Sequence, residues 1–332
     1  MSDWPLVTIN ILSYNKRDYV DETLTKLKTA LDYPPESLEL MVVDNASTDG
    51  TVEMLAERHP EVRVIETGAN LGAPALNWGF ERGRGDYFLV LDDDCYIEGS
   101  ALKDAIGAAR EHDADLISFA VISGVDPTYR FDRDYRTGLL GFWGCAFIVS
   151  RRLIEREGGY DPDLFIWGNE AELTMRVLDA GMRHVYLPSV VAVHMKGRPD
   201  DVQPTMSRLM NLRHFTHAVV KLFPVRDAVP VLAVLLFRTL AGGIARGELG
   251  GSLAGFARGA RTGWRARRPI RREVAGLYRR NFPEFAHPAL FEPRVRRLRE
   301  PAAAGSDYNA LRRRYWARRP DLYPDDFATL SV

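Results

Sequence analysis

Apolar and polar positions along the first hundred residues follow two alternating rhythms. Leu6 to Leu12 (LVTINIL) is a near-continuous apolar run and reads as a buried strand. Asp18 to Leu31 follows, with Val20, Leu24, Leu27 and Leu31 at helical spacing. Leu38 to Val43 is a second apolar run, and Ser47-Thr48-Asp49 caps a helix running towards Arg58. Val62 to Ile65 predicts a short strand, Ala73 to Arg82 a helix and Tyr87 to Leu91 (YFLVL) a fourth strand. Strands alternating with helices in this way predict an α/β fold, a mainly parallel sheet flanked by helices.

The rhythm then loosens. Ala101 to Glu111 predicts a helix and Leu116 to Val121 a strand, followed by a polar, irregular stretch from Val125 to Thr137. Phe142 to Val149 predicts a strand, and Ala171 to Ala180 a helix stopped by Gly181. Val185 to Leu187 and Val190 to Val193 predict two short strands. From Thr205 onward the pattern is helical, with Thr205 to Val220 and Val229 to Ala245 as amphipathic segments. A Pro/Asp-rich stretch near Arg198-Pro199 marks the expected boundary. It separates a domain over 1–200 from a helical C-terminal extension over 201–332.

Composition changes this picture little. The 332 residues are 46% hydrophobic and 27% charged, with a formal net charge of −1, as in an ordinary globular protein. The charge is uneven: Gly251 to Glu300 carries 13 Arg, no Lys and 4 Glu, an excess of nine positive charges. Such a basic, helical tail suits contact with an anionic membrane surface, although a packed subdomain with solvated arginines explains it equally. No recognisable nucleic-acid-binding module accompanies the arginines. Cys95 and Cys145 are too few for a disulfide framework and fit a reducing, cytoplasmic compartment. The N-terminus has no signal-peptide pattern, and the most apolar stretch, Ala228 to Phe237, is about half the length of a spanning helix.

Candidate chemistry concentrates where strands end. Asp92-Asp93-Asp94 follows YFLVL, and three adjacent carboxylates repel one another unless a cation sits among them. Asp92 and Asp94, two apart, suit one Mg2+ or Mn2+ that also holds a diphosphate; the plain alternative is a solvated acidic turn. Ser13-Tyr14-Asn15 and Asp44-Asn45-Ala46-Ser47 follow the first two strands, where a nucleotide binds an open parallel sheet and Asp44 can accept from a base N–H. Helix capping by Asn and Ser is compatible with that. The loop Gly68-Ala69-Asn70-Leu71-Gly72 precedes a helix and lets phosphate approach backbone N–H groups. It lacks the Gly-x-Gly-x-x-Gly spacing of a dinucleotide site.

Further on, Asn169 can cap the helix that carries Glu170 and Glu172 in its first turn, which accounts for both acids structurally. The functional reading makes one of them a general base, with Trp143, Phe165 and Trp167 desolvating it and offering faces for a sugar ring. His194, just after the apolar VVAV, is a packed residue or a third metal ligand.

In their order, VTINILSYN, VVDNASTDGT, the GANLG loop, LVLDDD, the Gly-Gly-Tyr-Asp run at 158–161 and the NEAEL helix make roughly residues 5 to 200 resemble family 2 glycosyltransferases of the GT-A fold. The resemblance implies a nucleotide-sugar half over about 1–98 and an acceptor half over about 99–200. It places Asp44 at the nucleobase, and Ser13, Asn15, Asn70, Asp92 and Asp93 are the further candidates around the nucleotide sugar. Asp92 and Asp94 become the Asp-x-Asp motif, His194 a metal ligand, and Trp143, Trp167 and Glu172 acceptor contacts. Glu170 matches the family's base, while Asn169 stands where the family usually has an acid and leaves Glu172 as the alternative base. The implied activity is inverting, metal-dependent transfer of a hexosyl or deoxyhexosyl group from a UDP-, dTDP- or GDP-sugar to a hydroxyl of a glycan, lipid-linked or small-molecule acceptor. Within the family the chain looks most like rhamnosyl- and galactofuranosyltransferases, and a homo-oligomer is compatible with it. Two other readings stand beside this: a non-catalytic glycan- or nucleotide-sugar-binding scaffold, supported by Asn169, and a nucleotidyltransferase, which wants a Gly-rich basic loop where Ser13-Tyr14-Asn15 stands.

Overall fold

The computed structural model describes residues 4–126, 130–131, 140–196 and 204–281. Among these the chain forms two compact units, one of residues 4–165 and 180–196 and one of residues 166–179 and 204–281. The segment 166–179, which the sequence groups with the first 200 residues, therefore belongs to the helical unit.

The first unit is built on an eight-stranded sheet. Its strands are β1 (Val7–Ser13), β2 (Leu38–Asp44), β3 (Arg63–Glu66), β4 (Tyr87–Asp92), β5 (Cys95–Tyr96), β6 (Leu116–Ser123), β7 (Ala146–Ser150) and β8 (His184–His194), in the order β3-β2-β1-β4-β7-β6-β8-β5. The half made by β3, β2, β1 and β4 is parallel, with Ser13 opposite Asp44 and Leu12 opposite Asp92. Three candidate residues thus arrive at one carboxyl edge by register alone. β7 then runs antiparallel to both β4 and β6, so the sheet is mixed where the sequence rhythm loosens. The two short strands expected around Pro188 are one strand, β8, whose pairing with β6 slips between Phe119 and Ala120.

Helices α1 (Arg17–Ala30), α2 (Thr51–Arg58), α3 (Leu76–Arg82), α4 (Ala101–Glu111) and α5 (Arg151–Glu157) complete this unit. Val20, Leu24 and Leu27 of α1 and Leu102, Ala105 and Ile106 of α4 are buried in one core cluster with Val7, Ile9 and Ile11 of β1. β1 is covered on both faces, which is why its sequence runs apolar without strict alternation. Of the polar stretch from Val125 to Thr137, residues 127–129 and 132–137 lie outside the described residues.

The second unit contains α6 (Asn169–Asp179), α7 (Pro204–Leu222), α8 (Val225–Arg246), α9 (Leu249–Arg265) and α10 (Arg272–Asn281). Gly251, Gly255, Gly259 and Gly263 recur every fourth residue along α9 and line the seam against α7. A Cβ on Gly259 or Gly263 would fall inside van der Waals contact of the Arg213 or His217 carbonyl oxygen. The missing side chains are what let the two backbones approach. α8 is longer than the apolar run Ala228 to Phe237, and among the described helices it alone is long and apolar enough to cross a membrane. Asp227, expected to bound the apolar run, is buried inside the helix and paired with Arg272 (2.9 Å) and Arg279 (3.2 Å). The arginine-rich tract beyond residue 281 lies outside the described residues.

The glycine seam sets opposite expectations for two glycines. Gly259→Val should destabilise the helical unit by about 1–3 kcal/mol or more through overpacking. Gly107→Ala in α4, where a Cβ meets no neighbour, should stabilise by about 0.8–1 kcal/mol through helix propensity. Urea unfolding of the two variants measures both.

Candidate active site

In the first unit the triplet Asp92-Asp93-Asp94 leaves the end of β4, and each carboxylate meets a different environment. Asp94 is fully buried. Burial opposes its ionisation, yet His194 and Lys196 outweigh that and hold the carboxyl well below the usual carboxylate range. His194 Nε2 lies 3.0 Å from Asp94 Oδ1, Lys196 Nζ 2.7 Å from Oδ2 and Lys16 Nζ 3.7 Å from Oδ2. The β5–β8 pairing causes this: Cys95 sits opposite His194, and the Met195 N–H donates to the Asp94 carbonyl at 2.8 Å.

Asp93 points elsewhere. Its Oδ2 accepts from the Tyr14 N–H at 3.2 Å, and its carbonyl accepts from Thr23 Oγ1 at 2.8 Å, so it braces the β1–α1 loop. Burial, then the neighbouring Asp94 charge, raise its carboxyl to about 7. Asp92 is partly exposed. One ligand atom each from Asp92, Asp94 and His194 lies within 4.8 Å of the others. Two carboxylates and an imidazole are a donor set suited to Mn2+ or Mg2+. His194 Nδ1 is buried without a protein partner, and Phe131 packs its ring at 4.9 Å, with Trp143 5.6 Å behind Phe131 and 37% exposed.

The nucleotide candidates divide into two groups. Ser13 Oγ and Asp44 Oδ1, on paired residues of β1 and β2, are both buried and have no protein partner. Orphaned polar atoms at a strand edge suit a ligand that supplies the missing hydrogen bonds. Asn15 and Asn70 are already engaged. Asn15, at φ 51°, accepts from the Thr48 N–H (2.7 Å) and donates its own N–H to Ser47 Oγ (3.0 Å). Asn70 Oδ1 accepts from Asn45 Nδ2 and from the Gly72 N–H, both at 3.0 Å. Their side chains shape the two loops. Lys16 and Lys196 are functional candidates that the sequence reading missed, whereas Asn45 is occupied in bracing the Asn70–Gly72 loop. Lys196, two residues after His194, carried the only local signal. Lys16 also lines an open pocket of about 320 Å3 with Asn15, Arg17 and Asp49.

In the second unit Trp167 and Gly168 precede α6 with φ of 63° and 91°. A left-handed tryptophan is an uncommon, strained conformation. It is held by His214, whose Nδ1 lies 2.9 Å from the Trp167 carbonyl oxygen. Glu170 is partly buried, and that burial raises its carboxyl above the ordinary value. Asn169 is 1% exposed, and neither polar atom of its amide has a protein partner. Glu172 departs from its expected acceptor-contacting role. It is fully buried, and Arg176 binds it at 2.8 Å and Lys221 at 2.7 Å. Burial works against its ionisation, but those two cations hold it below the usual range. Its carboxylate ties α6 to α7.

Residues 8–167 match the family model Glycosyl transferase family 2. Those residues, just under half of the chain, carry that family's sequence pattern. The chain is similar to the poly(ribitol-phosphate) beta-N-acetylglucosaminyltransferase TarS of Staphylococcus aureus, 30% identical over 114 residues that cover 33% of this chain and 20% of TarS. It is similar to the N-acetylglucosaminyl-diphospho-decaprenol L-rhamnosyltransferase of Mycobacterium tuberculosis, 24% identical over 246 residues, 60% of this chain and 78% of that protein. The match thus spans only a fifth of TarS but most of the mycobacterial relative. Among solved structures, a mannosyltransferase from Pyrobaculum calidifontis in complex with GDP-Man and Mn2+ aligns with TM-score 0.53 and 21% identity, over 95% of this chain and 88% of that one. TarS 1–349 in complex with UDP-GlcNAc aligns with TM-score 0.54 and 18% identity, over 77% and 81%. These likenesses establish a GT-A-type fold.

Glu172 yields a stability expectation. Glu172→Ala leaves Arg176, 4% exposed, without its main counter-charge and should cost about 3–5 kcal/mol. Glu172→Gln, which retains hydrogen-bond acceptance, should cost less. Equilibrium denaturation followed by circular dichroism compares them.

Proposed function

We propose that this protein is an inverting glycosyltransferase that moves a sugar from a nucleoside-diphosphate sugar to an acceptor hydroxyl. The observation that carries the reading is the gathering of Asp92, Asp94 and His194 at the carboxyl edge of parallel strands that carry the family 2 pattern, with unpartnered Ser13 and Asp44 beside each other on that edge. The named relatives are a poly(ribitol-phosphate) beta-N-acetylglucosaminyltransferase and an N-acetylglucosaminyl-diphospho-decaprenol L-rhamnosyltransferase. A cell-surface polysaccharide, glycolipid or natural-product acceptor follows as our assignment. The free thiols Cys95 and Cys145 fit action in a reducing cytoplasm.

The roles follow from each side chain's chemistry. Asp44 Oδ1 accepts a hydrogen bond from the nucleobase, and Ser13 Oγ bonds the nucleoside beside it. Asp92, Asp94 and His194 fit a divalent cation, Mg2+ or Mn2+, which when bound neutralises charge on the leaving diphosphate. Lys16 and Lys196 add positive charge next to Asp94. Glu170 takes the proton from the acceptor hydroxyl at a carboxylate oxygen, and a single displacement with one base inverts the anomeric centre. Trp143 and Trp167 offer ring faces to the acceptor.

A thermal-shift panel of UDP, dTDP and GDP with and without Mn2+ tests the donor site. One diphosphate should raise the melting temperature, the metal should strengthen the effect, and Asp94→Asn should remove the metal dependence. The absence of any shift in folded protein would overturn the assignment. Glu170→Gln should lower kcat by about a hundredfold or more while leaving that diphosphate's thermal shift intact. A base with a raised pKa stays protonated, and idle, until the pH passes that pKa. The wild-type rate should therefore rise with pH through a pKa above the ordinary glutamate value, and the Gln variant should lose that limb. Retained diphosphate binding with no turnover in wild type, across nucleotide sugars and acceptors, would instead favour a non-catalytic binder, the reading that Asn169 supports.

A further inference from the structure

α8 is rich in apolar residues, but among the described residues only one stripe of it is packed inward. Asp227, Val231, Leu235, Thr239 and Gly243 face inward, and Gly243 packs so closely on Leu249 of α9 that a Cβ there would lie 2.9 Å from its Cα. On the opposite side Val229 (59% exposed), Phe237 (67%), Leu240 (38%) and Ile244 (68%) recur at helical spacing in solvent. A large, contiguous apolar face on a soluble unit marks a surface that something covers.

The charges on the same two helices say what. Val225 to Arg265 carries six arginines and only two acids, Asp227 and Glu248. Asp227 is buried between Arg272 and Arg279, and Glu248 is paired with Arg208 (2.8 Å) and Arg246 (3.5 Å). Arg226, Arg238, Arg258, Arg261 and Arg265 are exposed and make no ion pair with a described residue. Arg258, Arg261 and Arg265 follow one face of α9 with Trp264, which is 66% exposed. Exposed apolar side chains, unpaired arginines and an exposed tryptophan on adjoining helices match the chemistry of an anionic bilayer surface: acyl chains below, phosphate at headgroup level.

We infer that the α8–α9 hairpin is a membrane-docking surface. The outer face of α8 enters the interface of an anionic bilayer, with the arginines and Trp264 of α9 at its headgroups. α8 lies in the plane of the membrane and does not cross it, because its inner stripe stays packed within the helical unit. Among its described side chains α7 exposes no large apolar residue, and its Ala218, Val219 and Leu222 are buried. The inference rests on α8 and α9 alone and stands apart from the glycosyl-transfer reading.

The test is flotation of the full chain with vesicles of equal parts phosphatidylglycerol and phosphatidylcholine, against vesicles of phosphatidylcholine only. The wild type should float with the anionic vesicles and less with the neutral ones. Phe237→Glu/Leu240→Glu should reduce the bound fraction at least about tenfold. Arg258→Glu/Arg261→Glu should reduce it on anionic vesicles only. All four side chains are exposed, so circular dichroism and thermal melting should match wild type. The inference is overturned if wild type stays unbound at low salt, or if the Phe237/Leu240 variant floats as well as wild type. It is equally overturned if the chain forms a dimer that this variant dissolves while wild type ignores vesicles, since the face then serves a second copy.

Discussion

Asp94 carries a negative charge at a place with no access to water, and much of the first unit's architecture answers that charge. An isolated buried carboxylate would take up a proton. Here β8 runs alongside β5 so that His194 and Lys196 meet it, and Lys16 approaches from the loop after β1. The same constraint separates the three adjacent acids: Asp94 stays ionised, Asp93 is raised to about 7 and spends its oxygen on the Tyr14 N–H, and Asp92 reaches solvent. A triplet that looks symmetrical in the chain becomes three different groups in the fold.

The helical unit solves a different problem. α9 gives up side-chain burial at four glycines, and its backbone then packs directly against the backbone of α7. The acid–base triad of Glu172, Arg176 and Lys221 locks α6 to that pair, leaving Glu170, on another side of the same helical turn, partly exposed. One turn of helix thus holds a structural carboxylate and the carboxylate we assign as base. The strained backbone at Trp167, pinned by His214, sets where that turn begins.

Several features were legible residue by residue. β1, β2 and β4 follow from largely apolar runs, and α4 begins and ends where its pattern predicts. The acid triplet stood out because acids after a buried strand are costly without a cation, while His194 read equally as a packed residue. Other features were not legible. Nothing local tells Glu170 from Glu172, since both fit a helix's first turn; Lys221, 49 residues on, settles which is bound. Asn15 and Asn70 resemble ligand contacts in sequence, but their partners Thr48 and Asn45 are supplied by neighbouring loops.

By itself, then, the sequence determined the strand–helix alternation, the parallel half-sheet it implies and the candidate acids at its edge, because these depend on hydrophobic periodicity and on charge repulsion between neighbours in the chain. Only the tertiary structure decided which acid is ionised, which asparagines are already engaged, which face of α8 is uncovered among the described residues and that α6 joins the helical unit. Each of those depends on partners remote in sequence, whose approach is set by strand register and by how closely two backbones pack.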